Sequence, residues 1–284
     1  MTVVLTLLLL GVLDNTVPTD AEIAARIEAA LRLHLSPRAA QVTVHRSSRF
    51  ATTLDALDIT LRGFTVEELP FEVAAPAAVP ASARPAPGVA EMAPARPAKP
   101  GKHIRIVKLR LRCEEFILRG LPVQALDMTL DEVRVPMAAV NEGRLAIAAA
   151  ASAAGAVILH ERALTQFIAA RPLPITNPTV AVTPDGLRVT GGLKAFLNAP
   201  VEVRGALAAR QGGVLYLDRP GIRVLKVPIP GVITRRALRD LDPLTDINAD
   251  LRLPAPVTIT AVEHRQGTLR FTAALRLPKA SAAR

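Results

Sequence analysis

Apolar and polar residues alternate one by one over long stretches of this chain, and this alternation limits its fold more than any other feature. Residues 57–61 (LDITL) and 109–113 (LRLRC) are two examples. Successive side chains of a β-strand point to opposite faces, so such runs predict strands with one buried and one solvated face. Turn pairs such as Asp185-Gly186 and Gly191-Gly192 predict hairpins between neighbouring runs. Because strands and long helices do not alternate regularly, the pattern predicts a mainly antiparallel sheet.

One predicted strand changes phase along its length. Ile106 is its last apolar residue at an even position, whereas Val107 and Leu109 continue the apolar pattern at odd positions. A phase change of one residue predicts a β-bulge at Val107, and bulges bend the sheets that contain them. Further along, residues 126–130 and 133–135 predict two more strands.

Short helices are predicted beside the strands. Thr19 and Glu22 match a capping box, and apolar residues then recur every three or four positions, so residues 20–33 predict an amphipathic helix. Similar spacing predicts short helices over about 160–170 and over 234–241. The fold class that follows is α+β: a mainly antiparallel β-sheet of long strands, which must curl, with two or three short helices that cover part of its apolar face.

The composition favours an aliphatic core and offers little for catalysis. Half of the 284 residues are apolar but only 3% are aromatic, and Cys113 is the single cysteine. One thiol rules out an internal disulfide, and Cys113 is predicted to be a small core residue. None of the five histidines has metal-ligand spacing, and no nucleophile elbow, phosphate-binding loop or dinucleotide fingerprint is found. The sequence therefore predicts a non-enzymatic protein with no catalytic residues, no metal and no cofactor.

Two segments differ from the rest in composition. Residues 2–13 (TVVLTLLLLGVL) are an apolar run, so residues 1–13 are predicted to be a signal segment or membrane anchor, with a buried first helix or strand as the alternative. Residues 74–102 hold 7 Pro and 11 Ala in 29 positions and predict a disordered insertion. Residues 14–277 are then expected to form a single domain, followed by a loose tail over 278–284.

The formal net charge of +10 implies anionic partners. Basic residues such as Arg105, Lys108 and Arg110 are spread singly along predicted strands, which favours a solvated sheet face over a binding patch. Nucleic-acid binding is disfavoured because the chain has few aromatic side chains to stack on bases. Anionic lipid headgroups and acidic glycans remain as candidate partners.

Several segments between residues 157 and 277 carry a family resemblance. They are Leu164-Thr165-Gln166-Phe167, Asn177-Pro178, Gly186-Leu187-Arg188-Val189-Thr190-Gly191, Val203-Arg204-Gly205, Val227-Pro228-Ile229-Pro230, Asp250-Leu251-Arg252-Leu253-Pro254, Val257-Thr258-Ile259 and Gly267-Thr268-Leu269-Arg270-Phe271. In these segments the chain resembles the LmeA-like phospholipid-binding family of bacterial envelope proteins. The strands around 54–63 and 104–135 fit the same layout, whereas the insertion 74–102 departs from it.

The resemblance implies a protein of the periplasm or cell envelope, exported or membrane-anchored through residues 1–13. It implies a tubular lipid-binding-like half barrel in which the sheet wraps around the helices. It also implies binding of anionic phospholipid at a membrane surface, and it implies no catalytic residues.

An apolar groove for one or two acyl chains is the site that these expectations suggest. The predicted lining residues are Phe167, Ile168, Phe196, Leu197, Val227 and Ile229. Arg235 and Arg236 are predicted to hold the lipid phosphate, since guanidinium groups bind phosphate through paired hydrogen bonds. The expected function is binding of phospholipid acyl chains by a monomeric protein, with transfer as an extension. The alternative is an envelope scaffold or adaptor with a packed core and no ligand.

Overall fold

The structure of this chain is mainly β. The computed structural model describes residues 19–47, 53–67, 72–73, 103–136, 146–170, 175–193, 199–210, 212–225, 227–229, 245–250 and 256–277. The segment 1–13, the insertion 74–102, the helix predicted over 234–241 and the tail 278–284 therefore lie outside the described residues. Within these ranges, no helix combines the length and hydropathy needed to cross a membrane.

The elements are numbered here in chain order. The helices in the described ranges are α1 (Asp20–Leu35), α2 (Glu161–Ala169) and α3 (Ile247–Asp250). The strands of the first half are β1 (Ala39–His45), β2 (Thr53–Arg62), β3 (Thr65–Val66), β4 (Glu72–Val73), β5 (His103–Leu118), β6 (Leu121–Pro136), β7 (Ala146–Ile147) and β8 (Ser152–His160). Those of the second half are β9 (Ile175–Thr183), β10 (Gly186–Leu193), β11 (Ala199–Arg210), β12 (Val214–Val224), β13 (Val227–Pro228), β14 (Thr245–Asp246), β15 (Val257–Arg265) and β16 (Thr268–Leu275).

The first helix forms as the sequence predicts. Thr19 accepts a hydrogen bond from the backbone N–H of Glu22, and the Glu22 carboxylate accepts one from the Thr19 backbone N–H, which completes the capping box. Ile23, Ile27 and Leu31 are buried along one face of α1. This apolar face packs into the core beside β1.

The larger sheet has the strand order β1-β2-β5-β6-β8-β16-β15, and β3 pairs with β5 beyond the end of β2. Most neighbours are antiparallel, but β2 and β5 run parallel, with Leu57 opposite Leu109. The sheet is mainly antiparallel, as predicted, and the parallel pairing of β2 with β5 is an exception that the sequence pattern does not predict. A parallel pair needs a long crossover instead of a hairpin, and the stretch between Arg62 and His103 has the necessary length.

Strands β5 and β6 form a hairpin that is longer than the sequence predicts. Residues 126–130 and 133–135 belong to the one continuous strand β6. The apolar phase does change after Ile106, but the register of β5 against β6 is the same on both sides of Val107, so the predicted bulge is wrong. Glu132, the residue across from Val107, has a φ of 51°, in the left-handed region that non-glycine residues seldom adopt.

The smaller sheet has the order β13-β12-β11-β10-β9, and β14 pairs with the start of β12. The predicted turn at Asp185-Gly186 joins β9 and β10, whereas the turn predicted at Gly191-Gly192 is wrong. These two glycines lie inside β10, where the register against β9 shifts. A Cβ on Gly191 would collide with the side chain of Ile175, so glycine is needed there for close packing and not for a turn.

Aliphatic side chains fill the core, as the composition predicts. Leu130, Val133 and Leu269 of the larger sheet are 0% exposed. The same apolar cluster continues into the smaller sheet at Leu207 and Leu215. The rings of Phe64 and Phe116 stack at 5.1 Å within it.

The two sheets are joined by backbone as well as side-chain contacts. The N–H of Gly267 donates to the carbonyl of Val182 at 2.9 Å, and the N–H of Ile259 donates to the carbonyl of Gly212 at 3.1 Å. His264 of β15 accepts a hydrogen bond from the backbone N–H of Leu207 in β11. These contacts hold β9 and β11 against the last hairpin of the larger sheet.

The mainly-β fold with few short helices is confirmed, but a single long sheet is not what forms. Strand pairing in the described residues gives two large sheets and a short parallel pair of β4 and β7. One reason lies at β9, whose Val180 and Val182 donate their backbone N–H groups to side chains of α2. Because the helix uses these donors, β9 ends the smaller sheet. The helices lie against strands, α1 along β1 and α2 along β9, and a half barrel wrapped around them is not observed.

Candidate functional site

One face of the smaller sheet is almost entirely aliphatic. The strand registers place Val180, Val189, Val203 and Ile222 in one row across β9, β10, β11 and β12. The next row contains Val201, Val224 and Val227. Side chains in register share a face, so these seven residues form a continuous surface, here called the apolar strip.

The apolar strip is buried at its β9 end and exposed at its β13 end, and Val201 on β11 is also buried. Val180 is 3% exposed, whereas Val227 is 63% exposed. Val189, Val203 and Ile222, which lie between them, are half-buried. The strip therefore starts against the protein interior and reaches solvent at the β13 edge.

The residues predicted to line an acyl-chain groove lie at both ends of this strip. Phe167 and Ile168 are half-buried in the last turns of α2, which packs against β9. Val227 belongs to the strip, and Ile229 follows it beyond β13. The strand order puts four strand spacings between β9 and β13, or about 19 Å. The structure does not bring the two pairs together, although the same sheet connects them.

Two of the predicted lining residues and both predicted headgroup residues lie outside the described residues. Phe196 and Leu197 fall between β10 and β11, and Arg235 and Arg236 follow β13. The sequence analysis missed the middle of the strip, namely Val189, Val203 and Ile222. Alternation marks each of them as apolar on its own strand, but only the register shows that they are neighbours.

The helix α2 is fixed to the edge of the strip by two side-chain acceptors. Thr165 Oγ1 accepts from the Val180 N–H at 2.9 Å, and Glu161 Oε2 accepts from the Val182 N–H at 3.2 Å. The Thr165 hydroxyl also donates to the backbone carbonyl of Glu161 at 3.0 Å. This bond fixes the hydroxyl hydrogen, so the oxygen lone pairs are free to accept from Val180. These bonds satisfy an edge strand that would otherwise expose its donors.

The opposite face of the smaller sheet is basic. Arg188 of β10 pairs directly with Arg204 of β11, and Glu202 of β11 pairs directly with Arg223 of β12. The three guanidinium groups are here called the arginine cluster. A hydrogen bond from Arg204 lowers the pKa of Glu202, and the positive charges of Arg204, Arg188 and Arg223 lower it further.

The polar face of the larger sheet has a different charge arrangement. Arg62 pairs with Glu115 at 2.6 Å, Arg105 with Glu132 at 2.6 Å, and Arg112 with Asp127 at 2.8 Å. Each of the three arginine side chains is more than half exposed. This agrees with the interpretation of these strands as a solvated face and leaves the arginine cluster as the less balanced surface.

Groups suited to metal or thiol chemistry are not assembled in the part of the chain that the structure describes. No three His, Cys, Asp or Glu side chains there could hold a metal ion together. Cys113 is 2% exposed, as predicted for a core residue, and burial raises the pKa of its thiol to about 12. An inert thiol of this kind contributes packing and no nucleophile.

Comparison with known proteins identifies the family. No curated protein matches the chain. A family model described as LmeA-like phospholipid-binding matches residues 101–274, which is more than half of the 284 residues. The matched range includes every strand of the smaller sheet, and the family is described by binding and not by a reaction. The chain therefore belongs to the LmeA-like phospholipid-binding family.

Proposed function

We propose that this protein binds a phospholipid by covering part of an acyl chain with the apolar strip, and that it catalyses no reaction. The observation that supports this most is the row Val180, Val189, Val203 and Ile222, which extends from the core towards an open edge. Half-buried valine and isoleucine side chains give a smooth surface without polar groups that would have to be desolvated. Phe167 and Ile168 would cover the chain at the α2 end, and Val227 and Ile229 at the β13 end.

The energetics of such a site are sufficient for useful affinity. Each buried CH₂ group contributes about 0.8 kcal/mol, so roughly ten of them supply about 8 kcal/mol. That gross value corresponds to a Kd on the order of micromolar before the costs of ordering the chain. The family membership supports a phospholipid as the source of the acyl chain.

The remaining parts of the proposal concern the headgroup and the location. Arg235 and Arg236 are proposed to bind the phosphate, because a bidentate guanidinium matches its oxygens. A location in the periplasm or cell envelope is supported by the family and by the apolar run over residues 2–13. The same run would either be removed on export or anchor the protein in a membrane.

The test is lipid retention by variants of the purified protein, measured by native mass spectrometry and by lipid extraction. Val203→Asp places a carboxylate in the middle of the strip and should remove at least nine tenths of the bound phospholipid, since a charge among acyl methylenes is unpaired. Val107→Asp is the matched control, a half-buried valine on β5 of the larger sheet. Thermal unfolding verifies that both variants fold. Equal lipid retention by both variants, or no phospholipid on the wild-type protein, would contradict the proposal.

A scaffold role is the second candidate, and one observation favours it. Leu225 is 62% exposed and Val227 is 63% exposed at the β13 edge. An exposed apolar edge of this kind can accept an added strand from a partner protein. Protein that carries no lipid but binds an envelope protein through this edge, with binding lost in Val227→Lys, would support the scaffold role instead.

A further inference from the structure

We propose that the arginine cluster is a docking surface for the headgroups of an anionic bilayer. This inference goes beyond the binding of a single acyl chain and depends on separate residues. Alternate side chains of the same strands form the apolar strip and the arginine cluster, so the two surfaces lie on opposite faces of the smaller sheet.

The cluster places two like charges directly side by side. Arg188 and Arg204 are direct cross-strand partners, and like charges in such positions destabilise a sheet. The third position of that row is Gly221, where an added Cβ would meet open space. No side chain at this position covers the two guanidinium groups.

The cluster also carries an excess of positive charge. Glu202 forms an ion pair with Arg204, whereas Arg188 and Arg223 form no ion pair with a carboxylate in the described ranges. Both of these arginines are exposed. Their surroundings contrast with those of Arg62, Arg105 and Arg112 on the larger sheet, each of which has its own carboxylate. Carboxylates of the larger sheet neutralise these three arginines, whereas two arginines of the smaller sheet remain available to an anionic partner.

The shape and chemistry of the face favour a bilayer over a nucleic acid. The two rows that hold the cluster have Thr179, Ala181, Thr190, Glu202, Gly221 and Pro228 as their other described members. These rows hold no described aromatic side chain to stack on a base, and the Tyr216 ring further along the same face is covered by the Arg210 guanidinium, 3.9 Å from its centroid. The three arginines lie on adjacent strands of one face, and this arrangement matches the plane of phosphate groups on an anionic bilayer. Such a surface attracts each basic side chain at short range.

Docking through this face has a consequence for lipid access. Arg223 is the register partner of Pro228 in β13, the strand at which the apolar strip reaches solvent. A bilayer bound at the arginine cluster would therefore lie beside the open end of the strip. Electrostatic docking and acyl-chain binding are then adjacent steps that use different residues.

The experiment is sedimentation of the full chain with lipid vesicles. Vesicles of phosphatidylcholine alone are compared with vesicles that contain about 30 mol% phosphatidylglycerol, at low ionic strength. The test variant is the double substitution Arg188→Gln and Arg223→Gln, which removes two exposed charges that have no ion pair in the described ranges. The matched control is the double substitution Arg110→Gln and Arg112→Gln, which changes the net charge equally on the larger sheet.

We expect the wild-type protein and the control to bind the anionic vesicles, and the test variant to bind them about 30-fold more weakly, since each basic residue near such a surface contributes about fivefold. Binding should also fall steeply with added salt. Equal loss in both double variants, or no preference of the wild type for anionic vesicles, would overturn the proposal. Binding to single-stranded RNA that the test variant alone loses would assign the cluster to nucleic acid and would also overturn it.

The same variants separate this inference from the proposed function. The Arg188→Gln and Arg223→Gln protein should still retain co-purified phospholipid, whereas Val203→Asp should lose it but still bind anionic vesicles. Unchanged vesicle binding by the Arg188→Gln and Arg223→Gln protein contradicts the docking surface alone, and unchanged lipid retention by Val203→Asp contradicts the acyl-chain site alone.

Discussion

Burial controls the chemistry of Cys113, and this can be measured directly. Desolvation raises the pKa of the thiol from 9.0 to about 12, so the thiolate fraction at neutral pH falls on the order of a thousandfold. We expect a thiol reagent to label native protein at least a hundredfold more slowly than protein in about 6 M guanidinium, where the side chain is exposed. Rapid labelling of the native protein would contradict the burial of this residue in the core.

Arginine illustrates how neighbours decide the role of a residue. Arg112 on the larger sheet has Asp127 at 2.8 Å, and the hydrogen bond with this carboxylate raises the pKa of the guanidinium. Arg188 on the smaller sheet instead has Arg204 as its direct cross-strand partner. Both residues alternate with apolar neighbours in the sequence, so the pattern alone treats them alike. Only the pairing of strands separates an internally balanced surface from one that has charge available for a ligand.

Among the elements, α2 has a role that its sequence does not show. Its hydroxyl and carboxylate acceptors satisfy the backbone of β9, and Val180 is 3% exposed. We expect Thr165→Val to lower the free energy of unfolding by about 1 to 3 kcal/mol, because it leaves the buried Val180 N–H without an acceptor. Thr43→Val on β1 is the control, since the Thr43 hydroxyl has no hydrogen bond with a described residue.

Urea unfolding monitored by circular dichroism measures both variants. If Thr165→Val lowers the free energy of unfolding no more than Thr43→Val does, the hydrogen bond between α2 and β9 does not contribute to stability. A larger loss would establish that the helix terminates the smaller sheet through these acceptors.

The elements also show how far the sequence determines the fold. The capping box of α1, the strand alternation and the Asp185-Gly186 turn are local signals, and the structure confirms each of them. Gly191-Gly192 carries the same local turn signal but lies inside β10, because its role depends on Ile175 of the neighbouring strand. The parallel pairing of β2 with β5 and the apolar strip also depend on which strands become neighbours. These contacts join distant segments, so no pattern within one strand predicts them.

At the scale of the whole molecule, the proposed site depends on how the smaller sheet is held against the larger one. Leu207 and Leu215 of the smaller sheet belong to the common core, and His264 of β15 accepts the Leu207 N–H at 3.0 Å. An imidazole can accept at Nε2 only while that nitrogen is unprotonated. The connection between β11 and β15 is therefore sensitive to the charge of one side chain.

Burial lowers the pKa of His264 below its ordinary value of 6.5. In the unfolded chain His264 binds a proton at a higher pH than in the folded protein, so its contribution to stability is present above pH 6.5 and is lost as the pH falls towards the folded pKa. We expect the free energy of unfolding to decrease between about pH 7.5 and pH 5.5. His264→Gln keeps an acceptor that does not titrate and should reduce this decrease, whereas His264→Ala should cost about 1 kcal/mol already at the higher pH. Urea unfolding at both pH values measures these effects. If the free energy of unfolding depends on pH identically in the wild type and in His264→Gln, the contact of His264 with β11 does not make stability sensitive to pH.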